Sequence, residues 1–196
     1  MQSIRFGLTI AVASALAGCG GQAGSDAANS GVNGSAPATK AQGQTIGDAL
    51  AGASDYSDLA GALNSAGLAE TLRGSGPYTL LAPTNAAFAA LPEAARGTLM
   101  QPANRDRLVG LLRHHIVPGA VTVRDMRAAI DRGEGGRAEL ATLSGETLTL
   151  SREGDAILIN DGAGHRARLG DPEAIHANGV LHGIDALLMP AQDRPD

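Results

Sequence analysis

Histidine is the residue type in this chain that could serve both metal binding and proton transfer, and the sequence holds five of them. They are His114, His115, His165, His176 and His182. None stands in an HxxxH or HExxH arrangement, the spacing that places two imidazoles on one side of a helix for zinc. Neighbouring helical positions point about 100° apart, so the adjacent pair cannot easily share one metal. We therefore predict neither a metal site nor a bound cofactor.

The segment ANGVLHGIDALLMP, residues 177–190, holds a histidine and an aspartate in an apolar strand-like run. The dipeptide Asn178-Gly179 is typical of a tight hairpin turn, and a strand should follow it. His182 shares a strand face with apolar residues, which favours a core histidine with hydrogen-bonded ring nitrogens. The alternative is a ligand or a general base. Asp185 points to the other face, where we expect it to accept hydrogen bonds from a turn or from backbone amides.

Other catalytic signatures give no support for an enzyme. The run GAGHRA, residues 162–167, satisfies GxGxxA, but no helical apolar pattern follows it, as a dinucleotide-binding turn requires. No GxSxG elbow and no P-loop occur, and Lys40 is the only lysine. We predict that the chain is not an enzyme. The competing hypothesis uses His115 or His182 and requires a cleft that joins a histidine, a carboxylate and a serine.

Composition restricts the possible partners. The chain has 196 residues, of which 43% are hydrophobic and only 2% aromatic, so a single domain with an aliphatic core is expected. The formal net charge is −5 and the arginines are scattered along the sequence. Few aromatic residues and no basic cluster make nucleic acid a poor candidate partner.

The first residues, MQSIRFGLTIAVASALAGC, have the charge and apolar pattern of an export signal. Leu16-Ala17-Gly18-Cys19 resembles a bacterial lipobox, which implies that residues 1–18 are a signal peptide and that Cys19 is lipidated. The alternative is an ordinary export signal with an incidental cysteine. The residue after Cys19 is Gly20 rather than aspartate, which by analogy with lipoprotein sorting predicts an outer-membrane lipoprotein of a Gram-negative bacterium.

The rest of the chain divides by composition into a tether, a domain and a tail. Residues 19–44 start at the lipidated cysteine and continue as a stretch rich in Gly, Ala, Ser and Asn, which predicts a flexible tether. Residues 45–191 carry the apolar periodicity of a folded domain, and residues 192–196 form a short tail. We therefore expect a domain held near the membrane by its lipid.

Helical signals precede strand signals within the predicted domain. Thr45, Thr84 and Thr122 are placed to cap helices, and a further helix should begin near Asn104. On that helix the spacing of the leucines predicts that His115 points inward and its neighbour His114 outward. After residue 133 the segments AELATLS, ETLTLS, AILIN, HRARL and VLHGIDALLM are strand-like and separated by turn signals. This order favours an α+β fold.

Three segments in a fixed order resemble the fasciclin-type domain. They are YTLLAPTNAAFAALP at residues 78–92, LLRHHIVPGAVT at residues 111–122, and the closing ANGVLHGIDALLMP. The resemblance extends over about residues 45–190. It implies a wedge of antiparallel strands packed against several short helices. It also implies extracellular adhesion or binding without a general enzymatic activity.

The chain departs from the family pattern in two regions that are linked to integrin binding in animal members. His114 stands where the family has tyrosine, and Glu173-Ala174 stands where it has Asp-Ile, so the resemblance does not extend to that activity. We expect a membrane-anchored module that contacts cell-surface or matrix molecules, either protein or glycan. The candidate binding residues are His114, His115, Pro118, Asp171, Glu173 and His176. The alternative is a carrier of a small apolar ligand such as a carotenoid, which some family members bind.

Overall fold

A computed structural model of the chain describes residues 43–170 and 172–191. These described residues belong to one compact unit. The predicted signal peptide, Cys19, most of the predicted tether, Asp171 and the tail lie outside the described residues. Within the described ranges, no helix has the length and apolar content needed to cross a membrane.

Helices dominate the first part of the domain, as the sequence predicts. The described residues form seven α-helices: α1 (Ile46–Gly52), α2 (Ser57–Ala66), α3 (Ala69–Arg73), α4 (Asn85–Ala89), α5 (Glu93–Leu99), α6 (Arg105–His114) and α7 (Val123–Arg132).

The predicted threonine caps are confirmed. Thr45 and Thr122 each accept a hydrogen bond from the third helical N–H, and the aspartate at that position reaches back to the threonine N–H. Such reciprocal boxes satisfy two backbone donors that the first helical turn leaves without partners. Thr84 caps α4 by accepting from the N–H of Ala87. Local chemistry thus sets where these three helices begin.

In the part of the chain that the structure describes, eight strands form two four-stranded sheets. The strands are β1 (Tyr78–Pro83), β2 (Ile116–Pro118), β3 (Arg137–Ala141), β4 (Thr147–Glu153), β5 (Ala156–Asn160), β6 (Arg166–Arg168), β7 (Ala174–His176) and β8 (Gly179–Ile184). The first sheet has the order β2-β1-β8-β7, and the second has the order β3-β4-β5-β6. All pairings are antiparallel except that of β1 with β8, which is parallel. The predicted α+β class is confirmed, with this one parallel pair as an addition.

The predicted closing hairpin is present, although its turn lies one residue earlier than expected. His176 pairs with Gly179, so Ala177 and Asn178 form the two-residue loop. Gly179 has φ +152°, and a Cβ there would collide with the carbonyl of Tyr78 on β1. Glycine is needed at this position because the parallel strand passes too close for a side chain.

The first sheet lies between two hydrophobic cores. Leu80 and Leu181 belong to the core shared with α1, α2, α3 and α6, whereas Leu81 and Ile184 belong to the core shared with α7 and the second sheet. Burial on both faces explains why β1 and β8 are almost continuously apolar. The two sheets also meet directly, through a bridge between Leu169 and Ile184.

Candidate functional site

Asn178 of the closing segment acts as a structural clamp. Its Oδ1 accepts the N–H of Ile46 at 2.9 Å, and its Nδ2 donates to the carbonyls of Leu72 at 2.6 Å and Gly74 at 2.8 Å. Through these three hydrogen bonds the buried Asn178 amide connects the β7–β8 turn to α1 and to the end of α3. The sequence indicated a turn here but not this clamp, because its partners lie far away in the chain.

His182 is a core histidine, as predicted. Its side chain is fully buried, and its Nε2–H donates to the carbonyl of Val121 at 2.7 Å. Its Nδ1 lies 3.9 Å from Oε2 of Glu173. The Nε2 bond to a carbonyl fixes the tautomer and attaches the segment before α7 to β8. An imidazole enclosed in this way has no access to a substrate.

Asp185 also has the structural role that the sequence predicts. Its Oδ1 accepts the N–H of Arg168 at 2.7 Å, and its own N–H donates to the carbonyl of the same residue at 3.2 Å. Asp185 thus connects the end of β8 to β6, where the two sheets meet. His182 and Asp185, the two residues of the closing segment that could do chemistry, therefore both stabilise the fold.

His115 points inward, as expected, and both of its ring nitrogens are used. Nδ1–H donates to the carbonyl of Leu111 at 2.9 Å, and Nε2 accepts the N–H of Leu188 at 3.2 Å. Complete burial lowers the pKa of His115 from 6.5 to about 4. The neutral ring therefore ties α6 to the C-terminal segment at neutral pH.

The expected outward orientation of His114 is wrong, because its side chain is fully buried. The loop between β3 and β4 covers the last turn of α6, and Nδ1 of His114 lies 3.2 Å from Ser144 Oγ and 3.3 Å from Glu146 Oε2. Burial lowers the pKa of His114, and the carboxylate of Glu146 opposes that effect. Helical spacing missed this orientation because the covering loop comes about 30 residues later in the chain.

His114, Ser144 and Glu146 are the residue types of a hydrolase triad, but their geometry differs from one. A triad places its serine and its carboxylate at opposite ring nitrogens, so that a proton passes through the ring. Here both groups lie at Nδ1, while Nε2 is buried without a hydrogen-bond partner among the described residues. This arrangement provides no route for a proton from the serine to the far side of the ring.

The remaining candidate binding residues lie in different surroundings. Pro118 is exposed at the end of β2, and His176 is half-buried on the edge strand β7, where burial lowers its pKa. Glu173 accepts the N–H of Val123 at 2.7 Å, at the first residue of α7. The register places Pro118 and His176 at the same end of the first sheet, on its two edge strands. Asp171 lies outside the described residues.

Asp161 is an important residue that the sequence indicated only as part of a turn. Its buried carboxylate accepts the N–H of His165 at 2.7 Å and the N–H of Met189 at 2.8 Å. Together with His115, and with Glu146, which accepts the N–H of Ala191 at 3.2 Å, it holds the C-terminal segment through backbone amides. The GxGxxA run covers the turn between β5 and β6 and the start of β6, and no helix follows it, as its sequence predicts.

The surface has an apolar cleft of about 250 Å³ between α5, α6 and the C-terminal segment. It is lined by Leu91, Ala94, Ala95, Thr98, Leu99, Arg107 and Met189. Across the described ranges, no group of three or more His, Cys, Asp or Glu side chains is placed to hold a metal ion. The described residues thus offer an apolar cleft at the surface, while His114, His115 and His182 are buried in the interior.

These features define a class of α+β domains with two sheets, in which the histidines of α6 and β8 stabilise the fold. The sequence matches the Fasciclin domain family over residues 54–190, and the chain belongs to this family. The predicted resemblance is thus confirmed. The predicted boundaries at residues 45 and 191 stay a prediction.

Relatives and a solved structure agree with this membership. The chain is 36% identical over 146 residues to Protein sll1483 of Synechocystis, covering 74% of this chain and 73% of that protein. It is 32% identical to the pig transforming growth factor-beta-induced protein ig-h3, covering 77% of this chain but only 20% of that longer protein. The fold matches a FAS1 domain pair of the insect cell adhesion molecule Fasciclin I with a TM-score of 0.68 at 17% identity, over 79% of this chain and 53% of that one.

Proposed function

We propose that the chain is a non-enzymatic adhesion module, anchored to the outer membrane through Cys19, which contacts protein or glycan molecules at a cell surface or in a matrix. The strongest support is that the side chains capable of catalysis or metal binding are engaged in hydrogen bonds within the fold. Asn178, His182, Asp185 and His115 all bond to backbone groups of the domain's own interior. Residues committed to the fold in this way leave recognition to the exterior.

The burial of His114 and His115 excludes their side chains from a binding surface at the end of α6. Neither imidazole is accessible, so a partner at this end would contact exposed neighbours such as Arg113, Pro118 and Ala120. The two histidines would then act indirectly, by holding the end of α6 and the start of β2 in place.

Capture by intact cells tests the adhesion proposal. The full chain, purified in detergent and coupled to beads, should retain cells or cell-envelope material more strongly than beads without protein. Retention that equals the bare-bead control would refute the proposal. Exposed residues tolerate substitution, so variants at Arg113, Pro118 and Ala120 should keep the unfolding curve of the native chain, and their capture shows whether this end contributes.

Membrane attachment is tested separately. In cells fed a radiolabelled fatty acid, the native chain should carry label and sediment with outer membranes. The Cys19→Ser variant should carry no label and should appear in the soluble fraction. A native chain without label would contradict the lipid anchor while leaving the adhesion proposal intact.

A second candidate function, transport of a small apolar ligand, is favoured by the cleft between α5, α6 and Met189. Its volume of about 250 Å³ is below the roughly 300–1,000 Å³ of pockets that enclose drug-sized ligands, so a short apolar molecule fits better than a whole carotenoid. Ala95→Trp should fill the cleft and abolish the fluorescence of a bound apolar probe. Ala103→Trp, at an exposed residue that does not line the cleft, is the matched control. Equal probe binding by both variants would exclude the cleft.

A further inference from the structure

The second sheet has one face in the core and one face open to solvent. Its inner face supplies Leu148, Leu150, Ile157 and Ile159 to the core beneath α7. Side chains alternate along a strand, so the strand pairings place the intervening residues in rows across the outer face, where two rows span all four strands. One row holds Arg137, Ser151, Leu158 and Arg168, and the next holds Glu139, Thr149, Asn160 and Arg166. These eight residues are called the open face below.

The open face is polar and partly ordered by its own hydrogen bonds. Asn160 Nδ2 donates to the Thr149 carbonyl at 3.2 Å and lies 3.3 Å from Ser151 Oγ. Arg166 Nε donates to Asn160 Oδ1 at 3.0 Å, which fixes the guanidinium beside the sheet. Hydroxyl, amide and guanidinium groups are thus held in place for an incoming polar ligand.

The charge of the open face is opposite to that of the whole chain. Three arginines and Glu139 give the two rows a formal charge of +2, and Glu153, on the same face in the next row, lowers it to +1, whereas the chain carries −5. Among the described residues, none of Arg137, Arg166 and Arg168 forms an ion pair with a carboxylate. Their charges are available to an anion that approaches this face.

A cleft beside the open face is lined by two arginines, one of which belongs to the open face. Arg168, at the end of one row, also lines a cleft of about 140 Å³ with Arg127 of α7. Arg127 Nη2 donates to the backbone carbonyl of Asp155 at 3.3 Å, and Asp155 is the one carboxylate among the lining residues. Two guanidinium groups at one cleft suit a carboxylate, which accepts paired N–H donors from arginine.

We propose that the open face and the Arg127–Arg168 cleft together bind an acidic polysaccharide that bears carboxylate groups. This inference rests on the adhesion function proposed above and names its partner class and surface. A linear polymer of linked sugars would lie across the rows. Its sugar hydroxyls would contact the side chains of Thr149, Ser151 and Asn160. Its carboxylates would meet the arginines at the ends of the rows and in the cleft.

Other occupants fit this surface less well. A protein partner usually needs an apolar centre, but Leu158, the only large apolar side chain of the rows, is just 9% exposed. A second copy docked face to face would bring arginine rows against each other. The open face has no aromatic ring for base stacking, so single-stranded nucleic acid is disfavoured as well.

The test compares matched polymers on the full, detergent-purified chain. We expect immobilised chain to bind polygalacturonate and not neutral dextran, with weaker binding as salt is raised. Arg127→Gln combined with Arg168→Gln should weaken binding by about tenfold or more, since charge-assisted contacts are lost. Arg73→Gln combined with Arg105→Gln removes the same two charges from exposed positions on α3 and α6 and should change affinity less than about twofold. Thermal unfolding of each variant checks that the fold is kept.

Several outcomes would overturn the assignment. Equal binding of dextran, or equal affinity of the double variant and the Arg73→Gln, Arg105→Gln control, refutes a role for these guanidinium groups. Duplex DNA bound with the same arginine dependence and higher affinity makes nucleic acid the partner instead. A chain that retains cells on beads but binds no acidic polymer refutes this surface and leaves the adhesion function standing. A chain that binds neither cells nor polymer contradicts both proposals.

Discussion

The two sheets of this domain use polar side chains in opposite ways. The first sheet is buried on both faces, and Thr79 and His182 of its strands and Asn178 of its β7–β8 turn are bonded to backbone groups of neighbouring elements. The second sheet buries one face only, and its outer rows present Asn160 and arginines to solvent. The difference teaches that a chemically capable residue in this fold indicates function only after its burial is known.

The largest expected effect on stability comes from replacing an asparagine by alanine, at Asn178 beside the first sheet and at Asn160 in the second. Asn178→Ala leaves a buried N–H and two carbonyls without their partner, which should lower the free energy of unfolding by about 3–5 kcal/mol. Asn160→Ala removes bonds at a half-buried site on the open face and should cost about 1 kcal/mol or less. Urea unfolding of both variants measures the difference. Equal losses would invalidate the contrast between the sheets.

Acid should weaken the interior through His115. Its pKa is lowered from 6.5 to about 4 in the folded state, so the unfolded chain takes up a proton first as the pH falls. The stabilisation is complete above pH 6.5 and decreases between pH 6.5 and pH 4, by about 3 kcal/mol in total.

Denaturant unfolding across this pH window measures the effect, and His115→Gln should flatten the slope. Burial also lowers the pKa values of the buried His114 and the half-buried His176, which should leave a residual slope. An NMR titration in which the His115 ring protonates near pH 6.5 would contradict the expected burial effect.

A smaller effect is expected where β8 meets the helices. A Cβ on Gly183 would lie 2.5 Å from the Tyr56 hydroxyl, so Gly183→Ala should cost about 1–3 kcal/mol through crowding. Tyr56→Phe removes the nearest atom and should restore part of that loss in a double-mutant cycle. Full additivity of the two changes would show that the hydroxyl is not the source of the crowding.

The smallest effect should be a gain. A Cβ on Gly97 in α5 meets no atom within 4 Å, and helical alanine is preferred over glycine by about 1 kcal/mol. Gly97→Ala should therefore raise the midpoint of thermal unfolding by a few degrees. A fall in the midpoint would indicate that α5 needs the freedom of glycine at this position.

Local signals predicted more of the fold than of the site. The caps at Thr45 and Thr122 and the turns between the later strands depend on residues a few positions apart, which a single sequence displays. The parallel pairing of β1 with β8 and the burial of His114 depend on segments far away in the chain. Likewise, Asp161 shows as a turn residue, whereas its bond to Met189 emerges only from the assembled domain.

The clamp between Ile46 and Asn178 also has a kinetic consequence. These residues are 132 positions apart, and β8, which forms the middle of the first sheet, is the last strand of the domain in chain order. During synthesis, the helices and the second sheet are therefore made before β8, the strand that contributes to both hydrophobic cores. Neither core can close until β8 has been added. Such late, long-range closure slows folding, and it leaves the apolar faces of a newly made chain exposed until the last strand has been added.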